Sequence, residues 1–547
     1  MGPTAVLVAL LGLPMLLIVA MAFNIGDPEA LPPTEFGLEH ILEVGDHLDW
    51  IAHSLIIAGG GTLLAVVLGS ALAWILYRST APGRAVFEML ITLPYPLGPL
   101  VGGLAWSILG SPHNGLLNQA FSALTGLPGP VLDVTGLAGI VFVMGIFETP
   151  VAVLIIGAAM RRMDPALEEC SSVMGASTWR TAMRVTMPLM LPAILSASLF
   201  LFTAMLGSFA IPAILGAQSR TYVVTTAIFV LFQGYPPSYP LASALGLILI
   251  AITAGAVWLH GRVLRGRSFV VVAGKNYRPR LVDLGRWTLL LVGIEVLYVL
   301  VALAMPLAVL VLASLQVSGD ILGSAADWTL ANYRYVLLEF STTRDAVLNS
   351  LWLGAGTATI GVALCTALAM AVHRSPGWQA RMLEQMVMLP QAFPRLIFAF
   401  GFLWMVLLLP TGFYSTLGSV LLAYLLIFLP LGYRAMSGVV VQIDRSLEEA
   451  ARVAGAGRMR ASLTITVPLL RSGIAATWGL LFMVAIAEVS ASVFLATGGT
   501  QMLGPAILSF WESGGLPQVS ALVIVQSVLV LGLMFGVSRM SRGATGF

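Results

Sequence analysis

The 547-residue chain is 58% hydrophobic and only 10% charged, against about 45 to 50% and about 25% in soluble domains, which excludes a soluble enzyme. Lys and Arg number 27 and Asp and Glu 25, a formal net charge of +2, which excludes a broad nucleic-acid-binding surface or an acidic tail. The two cysteines, Cys170 and Cys365, supply neither a disulfide framework nor a Cys/His metal set.

A helix crossing hydrocarbon needs about 20 mostly apolar residues, because no water is present there to satisfy unpaired backbone groups. Such runs recur near residues 4–23, 50–77, 87–110, 134–160, 187–215, 239–260, 287–315, 347–373, 385–409, 415–440, 468–496 and 518–538. They predict an all-α polytopic membrane protein of about 12 transmembrane helices. The first run lacks the basic flank and cleavage site of a secretory signal and reads as a retained span. After it come Asp27, Glu29, Glu35, Glu39, Glu43, Asp46 and Asp49 with no Lys or Arg. After the sixth run, Arg262, Arg265, Arg267, Lys275, Arg278, Arg280 and Arg286 face only Asp283. Short loops rich in Lys and Arg stay in the cytoplasm, so both termini are expected inside.

The chain is written twice. Ser54 to Ser79 aligns with Ser350 to Ser375 at an offset of 296, and Leu93-Pro94 meets Leu389-Pro390 at the same offset. Met163 to Leu189 aligns with Ile443 to Leu469 at an offset of 280, with 11 of 27 positions identical. The 16-residue difference falls in the outer loop of residues 111–134, which shrinks to a few residues near Thr411. An even number of spans separates the copies, so they are parallel six-helix repeats. The expected domains are 1–262 (core 50–262) and 287–547 (core 345–540), joined by a cytoplasmic linker, 263–286.

Between its fourth and fifth spans each half carries one long polar segment. Glu168, Glu169, Gly175, Arg180 and Pro188 recur as Glu448, Glu449, Gly455, Arg460 and Pro468, with Ala450 and Ala451 following the second pair of Glu. Asp164 or Asp444 is placed to cap a short helix there, its two Glu in the early turns and its Gly at the end. An ordinary surface loop has no reason to recur at matched topology. The apolar stripe of Leu167 and Val173, or Leu447 and Val453, therefore wants a protein partner.

Glu449-Ala450-Ala451, three residues, Gly455 and a distal Val467-Pro468-Leu469 resemble the signature loop of permease subunits of ATP-binding-cassette importers; Glu169-Cys170-Ser171 with Gly175 is a degenerate copy. The resemblance covers roughly residues 50–262 and 345–540. It implies a type I importer permease whose loops, Glu168 through Gly175 and Glu448 through Gly455, form coupling helices docked on two cytoplasmic ATPase subunits. It also implies a periplasmic or surface-tethered binding protein that delivers substrate, and residence in a bacterial inner membrane. The chain has no phosphate-binding loop, since its only Lys, Lys275, is followed by Asn276, so ATP and magnesium are expected on the ATPase chains. The fused layout, Ala487 to Ser492, Leu495 to Gly498 and Gly207 to Pro212 look like permeases of the ferric-iron type, whose relatives move thiamine, phosphonates or polyamines.

At membrane depth the charges to weigh are Glu148, Glu295, Arg395 and Glu488. Each carries an insertion penalty of about 2.5 to 3.5 kcal/mol and so faces protein or a wet cavity. Glu148 and Glu488 are the leading path-lining candidates; Glu295 is placed near a span end, and Arg395 is expected to neutralise a carboxylate. Pro94, Pro96 and Pro99, matched by Pro390 and Pro394, are expected to interrupt spans that bound a path. An ion-coupled secondary transporter would share the repeats and carboxylates, but it needs no ATPase contact, so the paired loops argue against it.

Overall fold

The computed structural model describes residues 2–27, 32–127, 129–164, 166–264, 281–283, 285–317, 328–375, 377–409, 412–444 and 446–543. Glu29, Thr411, Arg445 and most of the linker, with Arg265, Arg267, Lys275, Arg278 and Arg280, lie outside the described residues. In chain order the main helices are α1 (Gly2–Ala22), α2 (Leu48–Arg78), α3 (Arg84–Thr92), α4 (Pro99–Gly110), α5 (Leu137–Arg162), α6 (Ala166–Val173), α7 (Met187–Leu206), α8 (Ala210–Ser219), α9 (Val224–Gln233) and α10 (Tyr239–Leu264). They continue as α11 (Thr288–Val299), α12 (Met305–Leu315), α13 (Ser341–Arg374), α14 (Gly377–Met388), α15 (Arg395–Leu408), α16 (Leu417–Val440), α17 (Ser446–Val453), α18 (Arg471–Ile486), α19 (Leu503–Glu512) and α20 (Leu516–Gly543).

Among the described residues eight helices are long and apolar enough to cross a bilayer, and four bent helix pairs raise the number to 12 if each pair is one span. The expected interruptions are sharper than kinks. The run near 87–110 turns by 95° between Leu97 and Pro99, and the run near 385–409 turns by 100° between Ala392 and Arg395. Gly98 sits at φ +90° and hands over to Pro99 at the start of α4, where a missing N–H leaves no helical bond unmade. Pro94 likewise opens the short turn Pro94–Leu97, and Pro390 opens the turn Leu389–Ala392. These prolines start helices rather than deform them.

Two span boundaries read from apolarity need correction. The fifth run does not continue to residue 215: α7 ends at Leu206, and α8 with α9 forms a separate pair bent by 77°. The eleventh does not continue to 496: α18 ends at Ile486, and a turn of helix restarts at Ser492. An unbroken apolar run cannot reveal such a break, because the polar atoms that reset the backbone are few. At the second break Glu488 Oε1 accepts the Ala491 N–H at 2.9 Å, and at the first the Thr225 hydroxyl donates to the Ser208 carbonyl at 2.7 Å.

The chain forms two compact units, Glu39–Ala313 and Met1–Leu38 together with Gly323–Phe547 as their main segments. They differ from the sequence halves by an exchange of first spans: α1 belongs with the second repeat, and α11 and α12 belong with the first. One contact ties α11 to α5. Pro150 inside α5 has no N–H to offer the Ile146 carbonyl four residues earlier, and the Tyr298 hydroxyl donates to that oxygen at 2.9 Å.

Each unit packs its long span closely on the span that precedes the polar loop, but with the small residue on opposite sides. A Cβ built on Gly69 of α2 would lie 2.3 Å from Ala152 Cβ of α5. At the matched positions, 69 plus 296 and 152 plus 280, stand Cys365 and Gly432, and a Cβ on Gly432 would lie 2.7 Å from the Cys365 sulfur. Small residues at such crossings let helices approach where the hydrophobic effect gives no drive.

Candidate functional site

The two polar loops fold alike. Asp164 Oδ1 accepts the Ala166 N–H at 2.9 Å and starts α6; Asp444 Oδ1 accepts the Ser446 N–H at 2.9 Å and starts α17. At the other end the Ala176 N–H reaches back to the Ser171 carbonyl at 3.1 Å and the Ala456 N–H to the Ala451 carbonyl at 3.0 Å, the wrapped closure that requires a left-handed residue just past the helix. Gly175 at φ +80° and Gly455 at φ +90° supply it. Leu167, Val173, Leu447 and Val453 are exposed, with Val173 at 86% and Val453 at 90%. The apolar stripes are therefore uncovered by their own units.

The adjacent glutamates divide their work. Glu169 and Glu449 are exposed, with Ala450 beside Glu449, while Ala451 is half-buried. Glu168 and Glu448 turn back toward the membrane domain. In the first unit Arg78 Nη1 lies 3.2 Å from Glu168 Oε2, and the Thr186 hydroxyl donates to Glu168 Oε1 at 2.6 Å. In the second unit Arg374 pairs with Glu448, and the Thr466 hydroxyl donates to the same carboxylate. Every member matches by the repeat: 374 is 78 plus 296, 448 is 168 plus 280, and 466 is 186 plus 280. Burial pushes the Glu448 carboxyl upward, but hydrogen bonds from Thr466 and Arg374 and the charges of Arg374 and His373 outweigh it and hold it below the usual carboxylate range.

Sequence reasoning found the glutamates and missed their partners. Arg78 and Arg374 end their spans, where a basic residue is commonly an anchor on the inward side. Their match within the aligned Ser54 to Ser79 and Ser350 to Ser375 segments was the available signal. The surroundings differ: Arg78 is 1% exposed and also donates to the Met160 carbonyl at 2.9 Å. Linker residue Val282 donates its N–H to the Arg78 carbonyl at 2.8 Å. The Arg374 side chain is 39% exposed and bonds Ser462 Oγ at 2.8 Å instead.

The membrane-depth charges separate. Arg395 opens α15 with a half-exposed side chain, 3.3 Å from the buried Glu488 carboxylate, and its guanidinium lies over the Phe428 ring at 5.4 Å. Arg395 is thus the counter-ion of Glu488. Glu148 is half-buried in α5. Glu295 in α11 is 1% exposed, with no hydrogen-bond partner for either oxygen among the described atoms. Pro94 and Pro390 are buried at the two bends. Among the described residues no three His, Cys, Asp or Glu side chains are grouped to hold a metal ion.

Repeated bent spans and a repeated, capped loop helix with an uncovered apolar stripe define a transport subunit built from two fused permease halves. The chain belongs to the family described as the binding-protein-dependent transport system inner membrane component, whose model matches residues 4–268 and 361–543. It is a multi-pass permease subunit of an ABC importer, a transport component and not an enzyme. A ferric transport system permease protein of Actinobacillus pleuropneumoniae is 26% identical over 521 residues, covering 92% of this chain and 73% of its own. An Fe(3+)-transport system permease protein of Haemophilus influenzae is 25% identical over 533 residues, covering 96% and 95%. A solved bacterial ABC transporter chain involved in alginate import aligns at 22% identity with a TM-score of 0.40, over 48% of this chain and 94% of that one.

Proposed function

We propose that this chain imports ferric iron across the bacterial inner membrane, with both termini and both polar loops on the cytoplasmic side. The ferric transport permeases among its relatives support the cargo, and the basic connections support the orientation. A periplasmic or surface-tethered binding protein hands iron to the outer loops. Two cytoplasmic ATPase subunits, where ATP and magnesium act, receive α6 and α17. Closure of those subunits moves the two loop helices and rocks one permease half against the other, opening the path alternately to each side.

The observation that carries this proposal is the duplicated loop helix with its stripe left bare. An apolar surface of that kind in water marks a protein contact. A short amphipathic helix with one apolar face suits a groove on a partner, and we place Glu169 and Glu449 at its rim. Glu148, Glu488 and Arg395 are the groups we assign to the path, bounded by the bends at Pro94 and Pro390. The test is reconstitution of the chain with its ATPases and binding protein in vesicles. ATP-dependent iron uptake that survives a proton uncoupler supports the importer, and Val453→Asp is expected to release the ATPase during purification. Retention of the ATPase by that variant would overturn the docking assignment.

A further inference from the structure

We infer that the first glutamate of each loop is a positioning residue that tethers its coupling helix to its own permease half, leaving the second glutamate for the ATPase. The proposal rests on the docking assigned above and adds to it the element through which motion leaves the loop.

Glu168 and Glu448 occupy the early turns of α6 and α17, yet each carboxylate is directed away from the bare stripe and into its unit. Each meets two anchors on different elements: an arginine at the end of the long span α2 or α13, and a threonine in the widened helical turn of Ala182–Thr186 or Ser462–Thr466 that leads into the fifth span of its half. A helix held at one point can pivot. A helix tied through one carboxylate to two spans moves with them.

The chemistry suits a tether. In the first unit the arginine and the hydroxyl face different oxygens of the Glu168 carboxylate, and in the second both meet Oε1 of Glu448; contacts of a carboxylate with a guanidinium and a hydroxyl are short and directional. Both tethers are present in two units whose loop sequences agree at 11 of 27 positions, the glutamate and the threonine among them. The degenerate first loop keeps Glu168, Thr186 and Arg78 while it replaces the two alanines that follow Glu449 in the second by Cys170 and Ser171. The tether is therefore retained where the signature is not.

The test uses the full transporter in vesicles and reads three quantities: ATPase retained on purification, iron taken up per ATP hydrolysed, and rescue by charge exchange. Glu448→Gln and Arg374→Glu are each expected to retain the ATPase and to lower uptake per ATP at least about fivefold, the lower end of an ordinary coupling factor. The doubly exchanged variant Arg374→Glu with Glu448→Arg is expected to recover most of that ratio, which a merely misfolded loop would not do. An unchanged ratio in Glu448→Gln and Arg374→Glu, in a preparation where Val453→Asp does release the ATPase, overturns the tether and leaves the docking intact. A Val453→Asp variant that keeps its ATPase overturns the docking first, whatever the tether variants do.

Discussion

Arg395 lies 3.3 Å from Glu488, and neither residue has a charged counterpart in the other repeat. Position 488 minus 280 is Ser208, and Phe428, over which Arg395 is placed, corresponds by the same offset to Glu148. The two halves therefore carry their membrane-depth charge at different points. Glu488 also accepts the Ala491 N–H, so it does two jobs, counter-ion and cap. Glu488→Gln keeps an acceptor for Ala491, whereas Glu488→Ala leaves that buried donor unmet, a further loss of about 1–3 kcal/mol. The apparent unfolding temperature in detergent should fall more for Ala than for Gln, and equal losses would count against the cap. Uptake should fall in Glu148→Gln and in Glu488→Gln; unchanged uptake in both would remove the pair from the path.

The Tyr298 hydroxyl fills a vacancy created by Pro150. Without it the Ile146 carbonyl would have neither its helical donor nor water, and an unpaired polar atom in apolar surroundings costs about 1–3 kcal/mol. Tyr298→Phe is thus expected to destabilise the first compact unit by that order. Adding Pro150→Ala to the same chain should recover most of the loss, because position 150 then carries an N–H that can bond the Ile146 carbonyl. Thermal unfolding of the single and double variants decides it: additive effects would show that the hydroxyl and the proline are not coupled.

Gly175 and Gly455 hold a left-handed backbone, and within this chain an added Cβ would meet no atom within 4 Å. Alanine there is penalised only by conformation, of the order of 1–3 kcal/mol. Asparagine tolerates the same region better. Uptake should therefore rank wild type above Gly455→Asn above Gly455→Ala. Indistinguishable Asn and Ala variants would indicate a role for the space rather than the turn.

Membrane class, the repeat and the loop helices were legible because each rests on a pattern that recurs: apolar length, a fixed offset, and Asp, Glu and Gly at set spacing. The exchange of α1 and α11 was not. Where it concerns α11 it shows in the Tyr298 bond to the Ile146 carbonyl, and Tyr298 lies far from Pro150 in sequence. The breaks after Leu206 and Ile486 were hidden for a related reason, as single side chains such as Glu488 reset a backbone whose hydropathy never changes. The arginine and threonine partners of Glu168 and Glu448 were visible in the alignment, but a lone basic residue at a span end has a commoner explanation in membrane orientation.

The Glu448 tether also fixes a pH window. Its carboxyl is held below the ordinary range by Thr466 and Arg374 against the opposing effect of burial, so the folded loop binds its proton less readily than the unfolded one. The stabilisation is then fully present above the unfolded value, about 4.3 for a glutamate, and is lost as pH falls through the lower folded value. From pH 7 down to about 5 the loop should stay anchored. As pH falls through the lower folded value it should loosen, with Arg374 released to water through its exposed side. Limited proteolysis of residues 446–457 in detergent-solubilised protein reads this directly. The wild type should become cleavable only in the acid limb, while Glu448→Gln, which has no charge to lose at that position, should already be cleaved at neutral pH and keep only the weaker acid dependence of the Asp444 cap once the protease's own profile is divided out. A wild-type loop that opens near neutral pH would contradict the depressed carboxyl, and with it the charge-assisted bond between Arg374 and Glu448.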